Sequence, residues 1–483
     1  MLNYDVIRII CAEITDDSAH SAPPDLLSLG LSSRIFLEPA LDVMWQRMNS
    51  IEPLLSILPE TRLINRKKMI LKPISPSSWD RLRFYTSRVR EFVAPLEQNV
   101  HDSVYARLGH ENPIFPKLST LHLSPRLCDS KTFLFFLATS LQVVSWPYPW
   151  LLDPPPDATS SDMGPSLSLL VSKSPELRHL TLSKYLYSGL SLTLKHLVAL
   201  ERLSVMDLSH LEEDFIQAIA LLPKLTYLYL TLPAGIVLDH TGVERGFPSL
   251  TKLRLHGSTS DTRKLLAVVK PHALQELVLD LGYEFATEES RIADVAAIIH
   301  LLPSYPFLRN LAIDGDALTE LPMDLEDLQL WLIFEPLLEL KRLELLDYNI
   351  SLPVSDQKTL QIACAWTHLK ELHVYHDSIG GLASLESLAH FARHCPNLES
   401  LSYPIQLQAD TAPTPVIQNH PTLPMHPLRS FWCNMETDET TTHSMAQGLY
   451  RIFPNLQEVD GPGDAWTQVQ KSLWSLQNRQ FEG

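Results

Sequence analysis

Glycine, cysteine and positive charge are scarce in this 483-residue sequence. It has 16 Gly against 36 Pro, so its turns are more often rigid than flexible. Its apolar fraction of 45% is typical of a folded chain. Lys and Arg total 39 against 56 Asp and Glu, which gives a formal net charge of −17. Because the phosphate backbone of a nucleic acid would be repelled by most of this surface, we expect no nucleic-acid partner.

The cysteines are too few and too scattered for a disulfide framework or a structural zinc site. There is no Cys-x-x-Cys pair among Cys11, Cys128, Cys364, Cys395 and Cys433. An odd, dispersed set is typical of thiols kept reduced, so we expect a cytoplasmic or nuclear protein. Charged residues at Asp5, Arg8 and Glu13 interrupt what would be the apolar core of a secretory signal, and none is expected.

Long apolar runs are also rare. The most apolar window covers residues 133–152, but Gln142, Pro147 and Pro149 interrupt it. It divides into a helix-like half and a strand-like half. We therefore expect no membrane span.

One short phrase recurs from Leu118 onward: an apolar residue, two variable residues, an apolar residue, one variable residue and a final apolar residue. Its members are Leu118/Leu121/Leu123, Leu177/Leu180/Leu182, Leu200/Leu203/Val205, Leu225/Leu228/Leu230, Leu250/Leu253/Leu255, Leu274/Leu277/Leu279, Leu308/Leu311/Ile313, Leu340/Leu343/Leu345, Leu369/Leu372/Val374, Leu398/Leu401/Tyr403 and Leu428/Phe431/Cys433, with weaker members at Leu141/Val144/Trp146 and Leu456/Val459. Successive phrases begin about 23 to 36 residues apart, near the leucine-rich-repeat period of roughly 20 to 29.

Proline marks the entry to many of these phrases. A proline stands two residues before the first Leu at Pro116, Pro175, Pro223, Pro248, Pro306, Pro396 and Pro454. Proline cannot continue a helix and favours extended geometry in the residue before it, so each phrase is predicted to be a strand that follows a helix. The sequence therefore predicts an α/β leucine-rich-repeat solenoid over residues 117–483, with a concave parallel sheet, convex helices and a C-terminal cap built from Trp466, Val469 and Leu473.

The variable positions of the phrases are predicted to point away from the core, onto the concave sheet face. Aromatic and guanidinium side chains there suit protein binding, because they bring large contact area at modest entropic cost. The candidate target-binding residues are Tyr227, Tyr229, Arg254, His256, Glu344, His373, Tyr375 and Trp432. The alternative for any one of them is an ordinary solvated strand position.

The first fifty residues predict three short helices instead of a repeat. Apolar side chains recur at helical spacing through residues 2–14, 26–31 and 36–48, and Asp25 suits the start of the second helix. Three such helices are too few to bury all of their apolar surface. They are expected to dock on the repeats or on a partner.

These residues resemble an F-box. The resemblance rests on Leu2, Asp5 and Val6, on the run Asp25-Leu26-Leu27-Ser28-Leu29-Gly30-Leu31-Ser32-Ser33-Arg34-Ile35-Phe36, and on Pro39-Ala40-Leu41 and Trp45. The stretches 39–58 and 79–90 are similar to F-box/leucine-rich-repeat proteins of mushroom-forming fungi. The resemblance implies an F-box-like helical domain at 1–50 and a helical linker and N-terminal cap at 51–116, ahead of the repeats.

In that family an F-box docks on the Skp-type adaptor of a cullin-based ubiquitin ligase, and the repeats hold the target protein. The resemblance assigns adaptor contacts to Leu2, Val6, Leu26, Leu27, Leu31, Pro39, Leu41 and Trp45; internal helix packing is the alternative for each. Asn3 stands where the family usually has proline. A non-catalytic repeat scaffold that does not engage the ligase is therefore the second hypothesis.

No motif in the sequence indicates an enzyme, a cofactor or a metal. Phosphate-binding, dinucleotide-binding and Gly-x-Ser-x-Gly signatures do not occur. The set His390, His394 and Cys395 is better interpreted as a helix exit than as a zinc site, and His101-Asp102-Ser103 cannot form a triad from adjacent positions. The basic run Arg62–Lys72 is interpreted as a solvated helix end.

Overall fold

Parallel strands alternate with helices along most of this chain. A computed structural model describes residues 4–14, 24–94, 99–101, 103–109, 113–123, 134–146, 164–183, 190–206, 213–236, 246–282, 288–315, 327–375, 382–406, 426–433, 435 and 441–479. The chain forms two compact units, the N-terminal unit Met1–Leu225 and the C-terminal unit Thr226–Gly483. The predicted α/β class is confirmed. In the described ranges, no helix combines the length and the apolar character that a bilayer crossing requires.

The N-terminal unit begins with three helices, as predicted: α1 (Tyr4–Glu13), α2 (Pro24–Ser32) and α3 (Arg34–Gln46). Ser33 separates α2 from α3 in an extended conformation, and its Oγ accepts a hydrogen bond from the Ile35 amide at 3.4 Å. A serine at this position ends one helix and caps the next. The two helices are consequently joined by a single residue.

The sheet of the N-terminal unit contains six described strands, each parallel to the next: β1 (Arg47–Met48), β4 (Glu91–Ala94), β5 (Thr120–Leu123), β6 (Val143–Ser145), β7 (His179–Ser183) and β8 (Arg202–Met206). The later helices of this unit are α4 (Glu52–Ser56), α5 (Pro76–Thr86), α6 (Ser103–Leu108), α7 (Gly164–Lys173), α8 (Leu190–Leu194) and α9 (Glu213–Ala220).

The sheet starts upstream of the predicted boundary at residue 117. Strand β1 lies inside the segment predicted as all-helical, and β4 lies inside the predicted helical linker. Both strands are short, and β1 has only two residues, so neither produces a readable alternation of apolar side chains.

The basic run at residues 62–72 forms a hairpin, and its prediction as a helix end is wrong. Strands β2 (Thr61–Ile64) and β3 (Lys67–Ile70) pair antiparallel around a two-residue turn. Asn65 and Arg66 have positive φ of 49° and 64°. Positive φ at both central residues is typical of the type I′ turn, whose twist matches that of a two-residue hairpin.

The C-terminal unit contains nine described parallel strands in chain order: β9 (Tyr227–Thr231), β10 (Lys252–Gly257), β11 (Glu276–Leu281), β12 (Asn310–Asp314), β13 (Leu345–Asn349), β14 (Glu371–Val374), β15 (Ser400–Ser402), β16 (Ser430–Trp432) and β17 (Glu458–Asp460). Its described α-helices are α10 (Thr259–Val268), α11 (Glu288–Leu301), α12 (Asp327–Phe334), α13 (Asp356–Ala365), α14 (Ala389–His394), α15 (Thr442–Ile452) and α16 (Asp464–Arg479). Short 3₁₀ helices occupy Leu302–Ser304, Glu335–Glu339 and Leu385–Leu388.

The same turn precedes many strands in both units. Each of the seven prolines named above is the first residue of a two-residue turn, and the strand starts four residues after it. In most cases the residue before the proline accepts a hydrogen bond from the amide of the phrase's first Leu, as in Leu308 N–H to the Tyr305 carbonyl at 3.2 Å. The predicted role of proline at strand entry is confirmed.

Register brings the Leu residues of the phrases into continuous buried rows. In the C-terminal unit one row contains Leu228, Leu253, Leu277, Leu311, Leu346, Leu372, Leu401, Phe431 and Val459, all 5% exposed or less. Burying an aliphatic side chain of this size contributes about 1.5 to 3 kcal/mol. These rows and the apolar sides of the helices form the core.

The eighth phrase lies three residues further along the chain than its prediction. The structure aligns Leu343, Leu346 and Tyr348 with Leu308, Leu311 and Ile313, so Leu345 lies at an outward position. Leucine at 340, 343, 345 and 346 allows both alignments, and Lys341 stands where other phrases have proline. A shift by an odd number of residues exchanges the two faces of a strand, so every outward residue predicted for this phrase changes.

Helix α16 packs against the last described strand, β17. Trp466, Val469 and Leu473 on α16 are buried, as expected. The Gln470 side chain lies along the free edge of β17: its Oε1 accepts from the Val459 amide at 2.5 Å, and its Nε2 donates to the Gln457 carbonyl at 3.0 Å. One glutamine thereby makes two of the hydrogen bonds that another strand could make at this edge.

Candidate protein-binding surfaces

The solvent-facing side of the C-terminal sheet carries three rows of outward side chains, called here the open face. Strand register defines the rows. The first is Tyr227, Lys252, Glu276, Asn310, Leu345, Glu371, Ser400, Ser430 and Glu458; the second is Tyr229, Arg254, Val278, Ala312, Asp347, His373, Ser402, Trp432 and Asp460; the third begins Thr231, His256, Asp280, Asp314 and Asn349. Most of these side chains are half-buried or exposed, and Ser402 is buried.

Aromatic and cationic side chains occupy the β9–β10 end of the open face. Tyr229 and Arg254 are register neighbours, and the guanidinium carbon lies 5.5 Å from the centroid of the tyrosine ring. A cation at this distance is attracted to the electron-rich ring face. Tyr227 lies beside Lys252, which forms a 2.5 Å ion pair with Glu276. The predicted residues Tyr227, Tyr229 and Arg254 do lie together.

The middle of the open face is acidic. Asp280, Asp314 and Asp347 lie on the neighbouring strands β11, β12 and β13. Burial raises the pKa of Asp347, and the charge of Asp314 raises it further while His373 opposes the shift. Three carboxylates on adjacent strands concentrate negative charge here, and this charge favours a cationic ligand.

Polar contacts hold two of the three acidic residues in place. His256 Nδ1 lies 2.9 Å from Asp280 Oδ2 across β10 and β11, and Asn349 Nδ2 donates to Asp314 Oδ1 at 2.8 Å. The predicted contact residue His256 is therefore half-buried and paired with a carboxylate. It borders the acidic middle.

The other predicted open-face residues continue toward the end of the sheet. His373 lies on β14, and Tyr375 is the first residue after that strand. Both side chains are half-buried. Trp432 on β16 is 38% exposed. Large aromatic side chains that remain accessible on a sheet face are typical of protein-binding surfaces.

Glu344 is the exception among the predicted target-binding residues. It precedes β13 and lies in the row at the strand entries, a consequence of the register difference described above. Its carboxylate pairs with Lys370 Nζ at 2.7 Å and Arg309 Nη1 at 3.0 Å, and the hydrogen bond from Lys370 is the main reason that its pKa is lowered. Glu344 links three strand entries, and Asp347 occupies the outward position instead.

The N-terminal helices form a second surface. Their small core contains Ile7, Cys11, Leu26 and Ala40, with Ile14, Leu29, Phe36, Val43 and Met44 packed against it. Gly30 allows α2 to approach α3 closely, because a Cβ there would lie 3.0 Å from the Ala40 Cβ. Seven large aliphatic side chains remain exposed outside this core, Val6, Ile9, Ile10, Leu27, Leu31, Ile35 and Leu37. This much exposed apolar surface on three helices is typical of a docking site.

The predicted adaptor contacts fall into an exposed group and a buried group. Val6, Leu27 and Leu31 are 43%, 49% and 73% exposed and are available to a partner. Leu26 and Pro39 are buried, so they support the helices from inside instead of presenting a contact surface. Leu2 lies outside the described residues.

Leu41 and Trp45 are half-buried on α3. The Trp45 ring lies 4.6 Å from that of Tyr85 on α5, so its packing joins α3 to the following segment. Arg88, just after α5, strengthens this junction: it forms ion pairs with Glu38 at 2.5 Å and with Asp42, and it lies over the Phe84 ring at 4.4 Å. For Trp45 the internal-packing alternative has direct structural support.

No arrangement typical of catalysis was found in the part of the chain that the structure describes. His101 Nδ1 lies 2.9 Å from Ser103 Oγ, but Asp102 is outside the described residues. Cys395 is buried in contact with the Ala363 and Trp366 carbonyls, and burial raises its pKa to about 12, which keeps it a thiol. Across the described ranges no three His, Cys, Asp or Glu side chains are grouped to hold a metal ion.

No protein-family model matches this chain, and no curated protein matches it either.

Proposed function

We propose that this chain is a substrate-recognition subunit of a Skp/cullin/F-box ubiquitin ligase. In this proposal α1 to α3 act as an F-box that docks on the Skp-type adaptor, and the parallel strands are a leucine-rich-repeat array whose open face binds the target protein. Catalysis belongs to partner proteins. The observation that carries the proposal is the exposed apolar side of three helices placed ahead of a parallel sheet with one accessible face.

The N-terminal surface supports docking because it is apolar and because its exposed leucines do not pack into the core of the three helices. Leu27 and Leu31 are one helical turn apart on α2 and are both exposed, whereas Leu26, which directly precedes Leu27, faces the core. Burying two such leucines at an interface removes enough apolar area from water to supply a few kcal/mol. A monomer gains nothing from leaving them exposed.

The C-terminal surface supports recognition of a protein with basic segments. Tyr229, Arg254, Tyr375 and Trp432 offer contact area, and the acidic middle between them attracts cations. Charge complementarity of this kind steers association and selects partners more than it sets affinity. We therefore infer that the target presents lysines or arginines to β11–β13.

Adaptor docking is tested by co-purification of the full chain with the Skp-type adaptor. The double variant Leu27→Ser with Leu31→Ser is expected to weaken binding at least about tenfold, since both apolar contacts are lost. The matched control is Leu192→Ser with Leu221→Ser, which changes two other exposed leucines of the same unit. Retained binding by the Leu27/Leu31 variant contradicts the docking surface.

The second candidate, a repeat scaffold outside the ligase, is favoured if the unmodified chain fails to bind the adaptor. Target binding then provides the separate test. Proximity labelling in cells, compared between the unmodified chain and Tyr229→Ala with Arg254→Ala, is expected to lose a defined set of basic proteins. The control Tyr450→Ala with Arg451→Ala changes the same residue types on α15 and is expected to retain that set.

A further inference from the structure

A cavity of about 270 Å³ in the N-terminal unit concentrates positive charge. It is lined by Arg8, Asp42, Gln46, Ser87, Arg88, Arg90 and Lys117. Four of these side chains are cations and one is a carboxylate, whereas acidic residues outnumber basic ones by 56 to 39 in the whole chain. The local charge balance is therefore opposite to that of the protein.

The cavity is assembled from segments that the sheet brings together. Arg90 precedes β4, and its amide donates to the Gln46 carbonyl at 2.9 Å while its own carbonyl accepts from the amides of Ser119 and Thr120 at 2.8 and 3.0 Å. Arg90 Nη1 donates to the Lys117 carbonyl at 3.4 Å. The backbone of Arg90 is thus held between α3 and the turn before β5. Arg8 reaches the cavity from α1.

The charges of the cavity are only partly balanced. Arg88 is paired with Glu38 and Asp42, but its Nε is buried and has no hydrogen-bond partner among the described residues. Within the same residues, no carboxylate lies within ion-pair distance of Arg8, Arg90 or Lys117. Converging cations repel one another and are stabilised when an anion binds between them.

We propose that this cavity binds a phosphate group, as inorganic phosphate or as a phosphate ester on a small molecule or a protein. Arg8, Arg90 and Lys117 supply charge, and Gln46 supplies an amide donor. Guanidinium groups match the oxygens of phosphate in bidentate geometry, and the lysine ammonium adds a point charge. A bound phosphate would join α1 and α3 to the entries of β4 and β5. This inference does not rest on ligase membership.

Calorimetric titration and thermal shift of the full chain test the proposal with inorganic phosphate, pyrophosphate, and a phosphoserine peptide beside its unphosphorylated form. Phosphate and pyrophosphate are expected to bind and to raise the melting temperature, because a ligand that binds only the folded state stabilises it. Affinity is expected to fall with added salt. The phosphopeptide distinguishes the sources: tighter binding than pyrophosphate indicates a phosphorylated protein, and weaker binding a free phosphate compound.

Arg90→Gln with Lys117→Gln is expected to weaken phosphate and pyrophosphate binding at least about tenfold. The control Lys195→Gln with Lys224→Gln removes the same charge from exposed positions outside the cavity and is expected to keep the affinity. Circular dichroism of both variants checks that they are folded. The proposal is overturned if the unmodified chain binds none of the probes, or if both double variants lose affinity equally.

Discussion

Tyr229 and Arg254 lie side by side on adjacent parallel strands, with the guanidinium 5.5 Å from the centre of the tyrosine ring. Both side chains point outward, and the strand residues on either side of them point into the core. Along each of these strands, outward side chains are therefore available to solvent or a partner, and inward side chains support the fold.

Substitutions along β9 are expected to follow this alternation. Tyr227→Ser with Tyr229→Ser should lower the free energy of unfolding by less than about 1 kcal/mol, because outward positions contribute little to the core. Leu228→Ala, between them and 1% exposed, should cost about 2 to 5 kcal/mol. Urea denaturation followed by tryptophan fluorescence measures both. A large loss of stability in the tyrosine variant would show that these rings are packed inside.

The register of β13 gives a second prediction. Leu346→Ala should destabilise the chain by about 2 to 5 kcal/mol, while Leu345→Ala should cost much less, since Leu346 is fully buried and Leu345 faces outward. The two variants remove the same atoms from adjacent positions, so each is the control for the other. The reverse order in thermal melts would restore the alignment predicted from the sequence.

That strand also shows where the sequence was informative and where it was not. Regular Leu spacing with proline two residues ahead was enough to place β5, β7, β9, β10, β12, β15 and β17. At β13 the proline position holds Lys341 and two neighbouring leucines compete for the core, so the pattern alone could not choose a face. Because the face was misassigned, Glu344 was predicted to be a contact residue and Asp347 was overlooked.

The sequence also did not show which residues, distant along the chain, lie close together in the fold. The acidic middle of the open face depends on which residues of β11, β12 and β13 lie side by side, which requires the register of three strands. The cavity proposed to bind phosphate joins residues from position 8 to position 117, and nothing in local spacing relates Arg8 to Arg90. For the N-terminal helices, periodicity predicted the helices but did not separate the buried Leu26 from the exposed Leu27.

Buried His426 predicts a pH-dependent stability. Its Nε2 donates to the Cys395 carbonyl at 3.0 Å and its Nδ1 accepts from the Leu428 amide at 3.2 Å, which requires the neutral ring. Burial lowers the pKa of His426 below its ordinary value of 6.5. The stabilisation is complete above 6.5 and is lost as the pH falls from there through the lower pKa of the folded state.

Urea midpoints measured at about pH 7.5 and about pH 5 are expected to differ less for His426→Gln than for the unmodified chain. The control is His368→Gln, at an exposed position, which should keep the full difference. An unchanged pH dependence in His426→Gln would contradict a neutral buried ring.

Asp261 at the start of α10 gives a fourth prediction. Although burial alone would raise its pKa, hydrogen bonds from Ser258, Lys264 and the Gly235 amide lower the pKa overall. Asp261→Asn should therefore cost about 1 to 3 kcal/mol at neutral pH, because a buried carboxylate loses charge-assisted bonds.

The loss of stability caused by Asp261→Asn should be smaller at acidic pH. A lowered folded-state pKa gives stability that is present above the ordinary value of 3.8 and disappears as the pH falls below it. Asp464→Asn, at the exposed start of α16, is the matched control and should change stability by a few tenths of a kcal/mol. Equal losses in the two variants would show that the bonds to Asp261 contribute nothing.

The glutamine that lies along β17 has a consequence for how copies of this protein behave together. A row of unsatisfied amides and carbonyls at a sheet edge is a template on which a second chain can add a strand, and such addition has no natural stopping point. The Gln470 side-chain amide occupies part of that edge, and a side-chain amide offers no backbone on which a further strand can pair. Self-association at high concentration is therefore expected to increase in Gln470→Ala, with growth from the C-terminal end, and light scattering detects it.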